Sequence, residues 1–100
     1  MLQCGADSLA FDKLGTYNTT LRGHGECVRI IKEWGLPLLM LGGGGYTIKN
    51  VARCWTNETA ICLGIELDDE LPLINYYDKL GIDKKLHFDA KIGVENENTL

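Results

Sequence analysis

Four consecutive glycines, Gly42 to Gly45, stand between an apolar run, Leu38-Leu39-Met40-Leu41, and a tyrosine, Tyr46. An apolar run this short and without alternation reads as a strand buried on both faces, the habit of a parallel sheet. The glycines at its end remove every side chain where backbone would meet a ligand or another segment. A phosphate cradle is one use of such a loop. Yet the Lys-Ser/Thr that closes a P-loop is missing, and the glycine spacing is not GxGxxG. A tyrosine placed straight after the turn can instead aim its hydroxyl into a cleft and stabilise developing negative charge. A tight turn with a packed tyrosine is the plainer alternative, and both stand at this point.

The neighbouring segments give the tract its setting. Met1-Leu2-Gln3-Cys4 reads as a second strand running into Gly5-Ala6-Asp7, followed by a loop from Ser8 to Asn18 punctuated by Gly15. Thr20 is the expected N-cap of a helix through Trp34, with Cys27, Ile30, Ile31 and Trp34 at helical spacing and Gly35 and Pro37 as stops. Ile48, Val51, Ala52, Trp55, Thr59, Cys62 and Leu63 trace one face of a second helix that Gly64 ends, and Trp34 and Trp55 are expected in the core. Beyond Glu66 the pattern decays: Asp68-Asp69-Glu70 is acidic, Pro72 breaks the chain, and Tyr76-Tyr77 and Leu80 suggest a short helix. Residues 89–100 are polar and expected at the periphery.

The order strand, helix, strand, helix predicts an α/β fold with a parallel sheet and helical layers. In such folds ligands gather beyond the carboxyl ends of the strands, where both Asp7 and Tyr46 lie. Asp7 can serve there as metal ligand, general base or turn cap, and capping is the reading residue type alone favours. His24, without a second histidine nearby, and His87 in the tail are read as structural. Two parallel strands leave edges and faces that only further elements can cover, so the expectation is part of a larger fold or a chain that needs a partner.

Composition narrows the function classes. A formal charge of −4 argues against a free-standing nucleic-acid binder. The longest apolar run, Leu36 to Leu41, is far too short to span a bilayer, and no secretory leader is evident. Cys4, Cys27, Cys54 and Cys62 form no CxxC pair and no zinc-finger spacing, so four reduced thiols acting as small buried apolar groups are expected.

With these residues in view, a resemblance emerges. Leu2-Gln3-Cys4-Gly5-Ala6-Asp7-Ser8-Leu9, with Leu14-Gly15, Asn18, Gly23-His24 and Glu26-Cys27-Val28, resembles a block near the metal site of class I histone deacetylases. Leu38 to Tyr46, continuing through Thr47-Ile48-Lys49-Asn50-Val51-Ala52-Arg53-Cys54-Trp55-Thr56, is similar to that family's most diagnostic stretch. The thirty-nine residues from Asp7 to Tyr46 also fit. The resemblance is strong over residues 1–63, weaker to about residue 88, and leaves 89–100 as a tail.

The resemblance implies part of a three-layer, parallel-sheet arginase/deacetylase-like fold that hydrolyses N-acetyl-lysine with a zinc ion (Zn2+) bound by two aspartates and a histidine. Asp7 matches the second aspartate ligand and Tyr46 the tyrosine that hydrogen-bonds the carbonyl oxygen as it becomes an oxyanion. Leu14 matches a wall of the acetyl-lysine tunnel and Gly44 a glycine near its floor. Lys13 and Lys49 align with basic positions that help bind an inositol phosphate between enzyme and corepressor. Acetylated histone tails and corepressor proteins are the implied partners, with no direct DNA or membrane contact. Repression of transcription in the nucleus, with the cytoplasm as a second location, is the implied role.

The family's histidine pair and its Asp-x-His ligands lie upstream of the matched blocks, so these hundred residues alone are expected to be inactive. Local departures occur as well. Phe11 stands at a usually small residue, Lys13 and Lys49 at usual arginines, and Thr16-Tyr17 at a usual cysteine-phenylalanine. A non-catalytic relative acting through partners and a small phosphate-binding α/β domain are the competing expectations.

Overall fold

In a computed structural model that describes residues 1–71 and 85–90, five elements follow one another: β1 (Leu2–Gln3), a 3-10 turn (Ala6–Ser8), α1 (Leu21–Glu33), β2 (Met40–Leu41) and α2 (Ile48–Leu63). The strands pair in parallel, Leu2 opposite Met40 and Gln3 opposite Leu41. Backbone bonds extend this contact, with Cys4 N–H donating to Leu41 O at 2.7 Å and Ala6 N–H to Gly44 O at 2.7 Å. Parallel neighbours need a crossover, and the segment containing α1 provides it. The α/β class and the parallel pairing agree with the sequence. Two strands and two helices are too few to build three layers, and both strands are shorter than the expected four residues.

Thr20 caps α1 as anticipated: its backbone is extended and its hydroxyl accepts from Gly23 N–H at 3.0 Å. Gly64, in the left-handed conformation at φ 72°, ends α2. Thr47 precedes α2 but gives its hydroxyl to Phe11 O at 2.8 Å instead of capping the helix. The expected break at Pro72, the helix around Tyr76-Tyr77 and Leu80, and residues 91–100 of the tail lie outside the described residues.

Which faces are covered differs from expectation. On α1 the buried positions are Leu21, Gly25 and Val28, while Cys27, Ile30 and Trp34 are exposed, Trp34 by 64%. On α2 the buried positions are Asn50, Arg53, Cys54, Glu58 and Ala60; Ile48 and Leu63 point outward and Trp55 is half-buried. Leu39 and Leu41 are also exposed, against the expectation of a strand covered on both faces. Of the cysteines, Cys4 and Cys54 are buried, Cys62 is half-buried and Cys27 is exposed, so the thiols do not all act as core groups.

The physical reason is the same throughout. Apolar periodicity marks faces that want cover, and the described residues provide cover on only one side. The core that does form gathers Ala6, Leu9, Leu21, Cys54 and Leu86, with Val51, Trp55, Leu71 and Phe88 against it. Trp55 also donates its indole N–H to Cys4 O at 2.8 Å, fastening α2 to the end of β1. Residues 1–100 expressed alone should therefore bind a hydrophobic dye such as ANS strongly. Dye fluorescence no greater than that of a compact folded control would mean that the open faces close on themselves.

Candidate active site

The backbone brings Asp7 and Tyr46 to one place. Asp7 lies in the 3-10 turn just after β1, and Tyr46 follows the glycine tract just after β2, so the parallel pairing sets both at the same end of the sheet. Gly44 stands between them. A Cβ there would overlap the Asp7 carboxylate and come within 3.2 Å of the Tyr46 hydroxyl oxygen. Any side chain at position 44 would fill the space that the two functional groups share. Gly44 and Asp7 are half-buried and Tyr46 is 46% exposed, so the pair is open to a ligand.

A second carboxylate, which the sequence did not single out, organises both loops. Asp12 is only 7% exposed. One oxygen accepts Leu14 N–H at 2.9 Å and Gly15 N–H at 2.8 Å; the other accepts Tyr46 N–H at 2.8 Å and Thr47 N–H at 3.4 Å. Burial pushes its carboxyl up, but the backbone donors of Tyr46, Gly15, Leu14 and Thr47 outweigh that and hold it below its ordinary value. Capping, considered for Asp7, is thus performed by Asp12. An Asp three residues before a loop glycine was the available signal.

Behind the site lies a buried polar cluster of His24, Cys54 and Glu58. His24 Nδ1 contacts Glu58 Oε1, and Nε2 lies 2.9 Å from Gly5 O, two residues before Asp7. Cys54 Sγ sits 3.5 Å from His24 Nδ1 and 3.6 Å from Glu58 Oε1. The ligand atoms lie within 4.8 Å of one another and could hold a metal ion. The direct contact of His24 with Glu58, however, already pairs two of the three by hydrogen bonding. The bond to Glu58 raises the His24 pKa, against burial and with help from Gly5 O and the charges of Glu58 and Asp7. Burial, reinforced by Glu58, pushes the Cys54 thiol up, so it stays protonated. Helix periodicity hid this cluster, because Glu58 reads as a solvent-facing residue until His24 is known to meet it.

The remaining sequence-predicted residues are exposed. Leu14 is 69% exposed, and Lys13 and Lys49 are exposed. Asp7 fits as one member of a metal-ligand set by donor type and by its bare, glycine-lined front. Among the described residues no group of three metal-capable side chains includes it. No helix among them is long and apolar enough to cross a membrane.

A parallel α/β unit here brings a carboxylate and a tyrosine together over a glycine. The histone deacetylase domain matches residues 1–62, and the chain belongs to that family. Over 99 residues, 99% of this chain, it is 57% identical to probable histone deacetylase 1-A of Xenopus laevis and 54% identical to histone deacetylase 1 of Homo sapiens. It is 52% identical to histone deacetylase HDAC1 of Drosophila melanogaster over the same length. The chain spans about a fifth of the length of these relatives: 20% of the first two and 19% of the third.

The buried pair yields a pH prediction. A raised His24 value means that the pair stabilises fully below the ordinary histidine pKa and is lost as pH rises through the raised value. In the complete protein, Glu58→Gln should lower the His24 titration midpoint followed by imidazole NMR. An unchanged midpoint would show that Glu58 is not its partner.

Proposed function

We propose that this chain forms part of the catalytic domain of a zinc-dependent histone deacetylase, which hydrolyses N-acetyl-lysine on histone tails and so represses transcription in the nucleus. The observation that carries this reading is the convergence of the Asp7 carboxylate and the Tyr46 hydroxyl over the bare Cα of Gly44. A carboxylate suits a zinc ligand, and a phenol beside it suits an oxygen that gains charge. Zinc, when bound, would act as a Lewis acid towards the amide carbonyl and the attacking water.

The chain's own residues then have defined tasks. Asp7 contributes one anionic ligand at the end of β1. Tyr46 donates a hydrogen bond to the acetyl oxygen as water adds to the carbonyl carbon. The C–N bond then breaks to leave acetate and a lysine amine. Leu14, held outward beside the site, lines the path of the acetyl-lysine side chain, and Gly44 leaves its floor clear. Lys13 and Lys49 offer exposed positive charge to an inositol phosphate shared with a corepressor. Lysine keeps the charge of an arginine but lacks its bidentate fork, so that contact is weaker than the family's usual one. Residues 1–100 by themselves are inactive on this reading, since a catalytic zinc takes three protein ligands and Asp7 is one.

A second reading, a non-catalytic relative that works through partners, draws on the apolar surface along α2 formed by Trp55, Leu63, Ile65 and Leu67. Two substitutions in the complete protein separate the readings. Tyr46→Phe should keep zinc content and lower turnover about 10²–10³-fold, the usual effect of losing one oxyanion donor. Near-normal turnover would remove Tyr46 from the mechanism. Asp7→Ala should lose both activity and metal, and full zinc occupancy at limiting zinc would exclude Asp7 as a ligand.

A further inference from the structure

Asp12 touches none of the groups assigned to the chemistry, yet it binds the backbone on both sides of them. Its Oδ2 holds Leu14 and Gly15, in the loop after Asp7, and its Oδ1 holds Tyr46 and Thr47, at the end of the glycine tract. Gly15 is also packed against Asp7, since a Cβ on it would overlap the Asp7 backbone carbonyl. Two further bonds brace the same junction: Thr47 Oγ1 donates to Phe11 O at 2.8 Å and Ala6 N–H to Gly44 O at 2.7 Å. Among the described contacts at this junction, Asp12 is the one side chain that bonds the backbone of both loops by a buried charge.

We propose that Asp12 is a positioning residue for deacetylation, the anchor that holds the Tyr46 hydroxyl and the Leu14 wall in register with Asp7. This rests on the reading of Tyr46 as the oxyanion donor. Each of the four bonds runs from a neutral amide to a buried carboxylate, and charge-assisted bonds of this kind are stronger than neutral ones. An asparagine in its place keeps one acceptor oxygen but turns an NH2 toward one pair of backbone N–H groups. One of the two loops is then released. Tyr46 supplies a hydrogen bond whose value depends on placement, and displacement of a reacting group by about 1 Å costs on the order of 10²-fold in rate.

The test is a double-mutant cycle in the full-length, zinc-loaded protein with an acetyl-lysine peptide. Asp12→Asn should lower kcat about 10–10²-fold, with KM changed less than about 3-fold and zinc content unchanged. In a Tyr46→Phe background the same substitution should lower kcat less than about 3-fold, because the hydroxyl it positions is already gone. Asp12→Glu keeps the charge but shifts its oxygens by one methylene. It carries the same expectation and replaces Asp12→Asn if that variant does not fold. Equal losses in both backgrounds, or an unaffected kcat where Tyr46→Phe is impaired, would overturn the assignment of Asp12 and leave that of Tyr46 intact. A normal kcat in Tyr46→Phe itself would overturn both.

Discussion

The arrangement at the end of the two strands depends on how loops from distant parts of the chain are held together. Parallel strands place their carboxyl ends side by side, but pairing alone does not fix the loops that leave those ends. Here the glycine tract and the Asp7 loop leave the sheet with little regular structure, and a buried carboxylate takes up the backbone donors that such loops leave unpaired. Unsatisfied amides near a buried charge would be costly. Asp12 resolves both problems with one group, since each unpaired donor meets an acceptor and the charge is dispersed over four bonds.

The same economy recurs on the other side of Asp7. Gly5 O accepts from His24, which is fixed by Glu58 on α2, and Trp55 on the same helix donates to Cys4 O. The backbone immediately before Asp7 is thus tied to α2 directly by Trp55, and through His24 of α1 by Glu58. Glu58 is 2% exposed, and its Oε2 has no hydrogen-bond partner among the described residues. A fully buried carboxylate with a free oxygen is tolerable when its other oxygen is hydrogen-bonded to an imidazole. Removing one member of such a pair is costly because the remaining charge stays buried. The Asp7 loop therefore depends on a polar seam as much as on the small apolar core.

Legibility in the sequence divides between residues that act alone and residues that act in pairs. Thr20 and Gly64 are local signals, each satisfied within its own turn, and both read correctly. Gly44 was legible as a place where side chains are forbidden, and the groups that crowd it, Asp7 and Tyr46, are the two that the sequence set at these strand ends. The turn made by Asp12 with Gly15 had a local signal, but its bond to Tyr46 and the pairing of Glu58 with His24 each join residues thirty-four positions apart and were illegible. The exposed faces of α1 and α2 mislead in a different way. Cys27, Ile30 and Trp34 follow a sound apolar period, but period reports a demand for cover, not whether these residues meet it.

Phe11 connects the family comparison with the backbone. It sits at φ 68°, in the left-handed region that favours glycine, at a position where the resemblance leads one to expect a small residue. A side chain there costs roughly 1–2 kcal/mol. Part of that is offset because the ring meets Phe88 edge-on, with centroids 6.4 Å apart, a contact of about 0.5–1.5 kcal/mol. Phe88 in turn lies under the guanidinium of Arg53, 4.7 Å from its centroid, while Arg53 donates to Leu86 O at 3.0 Å. These contacts link Phe11, directly before Asp12, to the segment at residues 86–88. A strained backbone held by an aromatic stack keeps the turn that a glycine would adopt freely. The ring is half-exposed, and Asp12 beside it keeps its bonds to both loops.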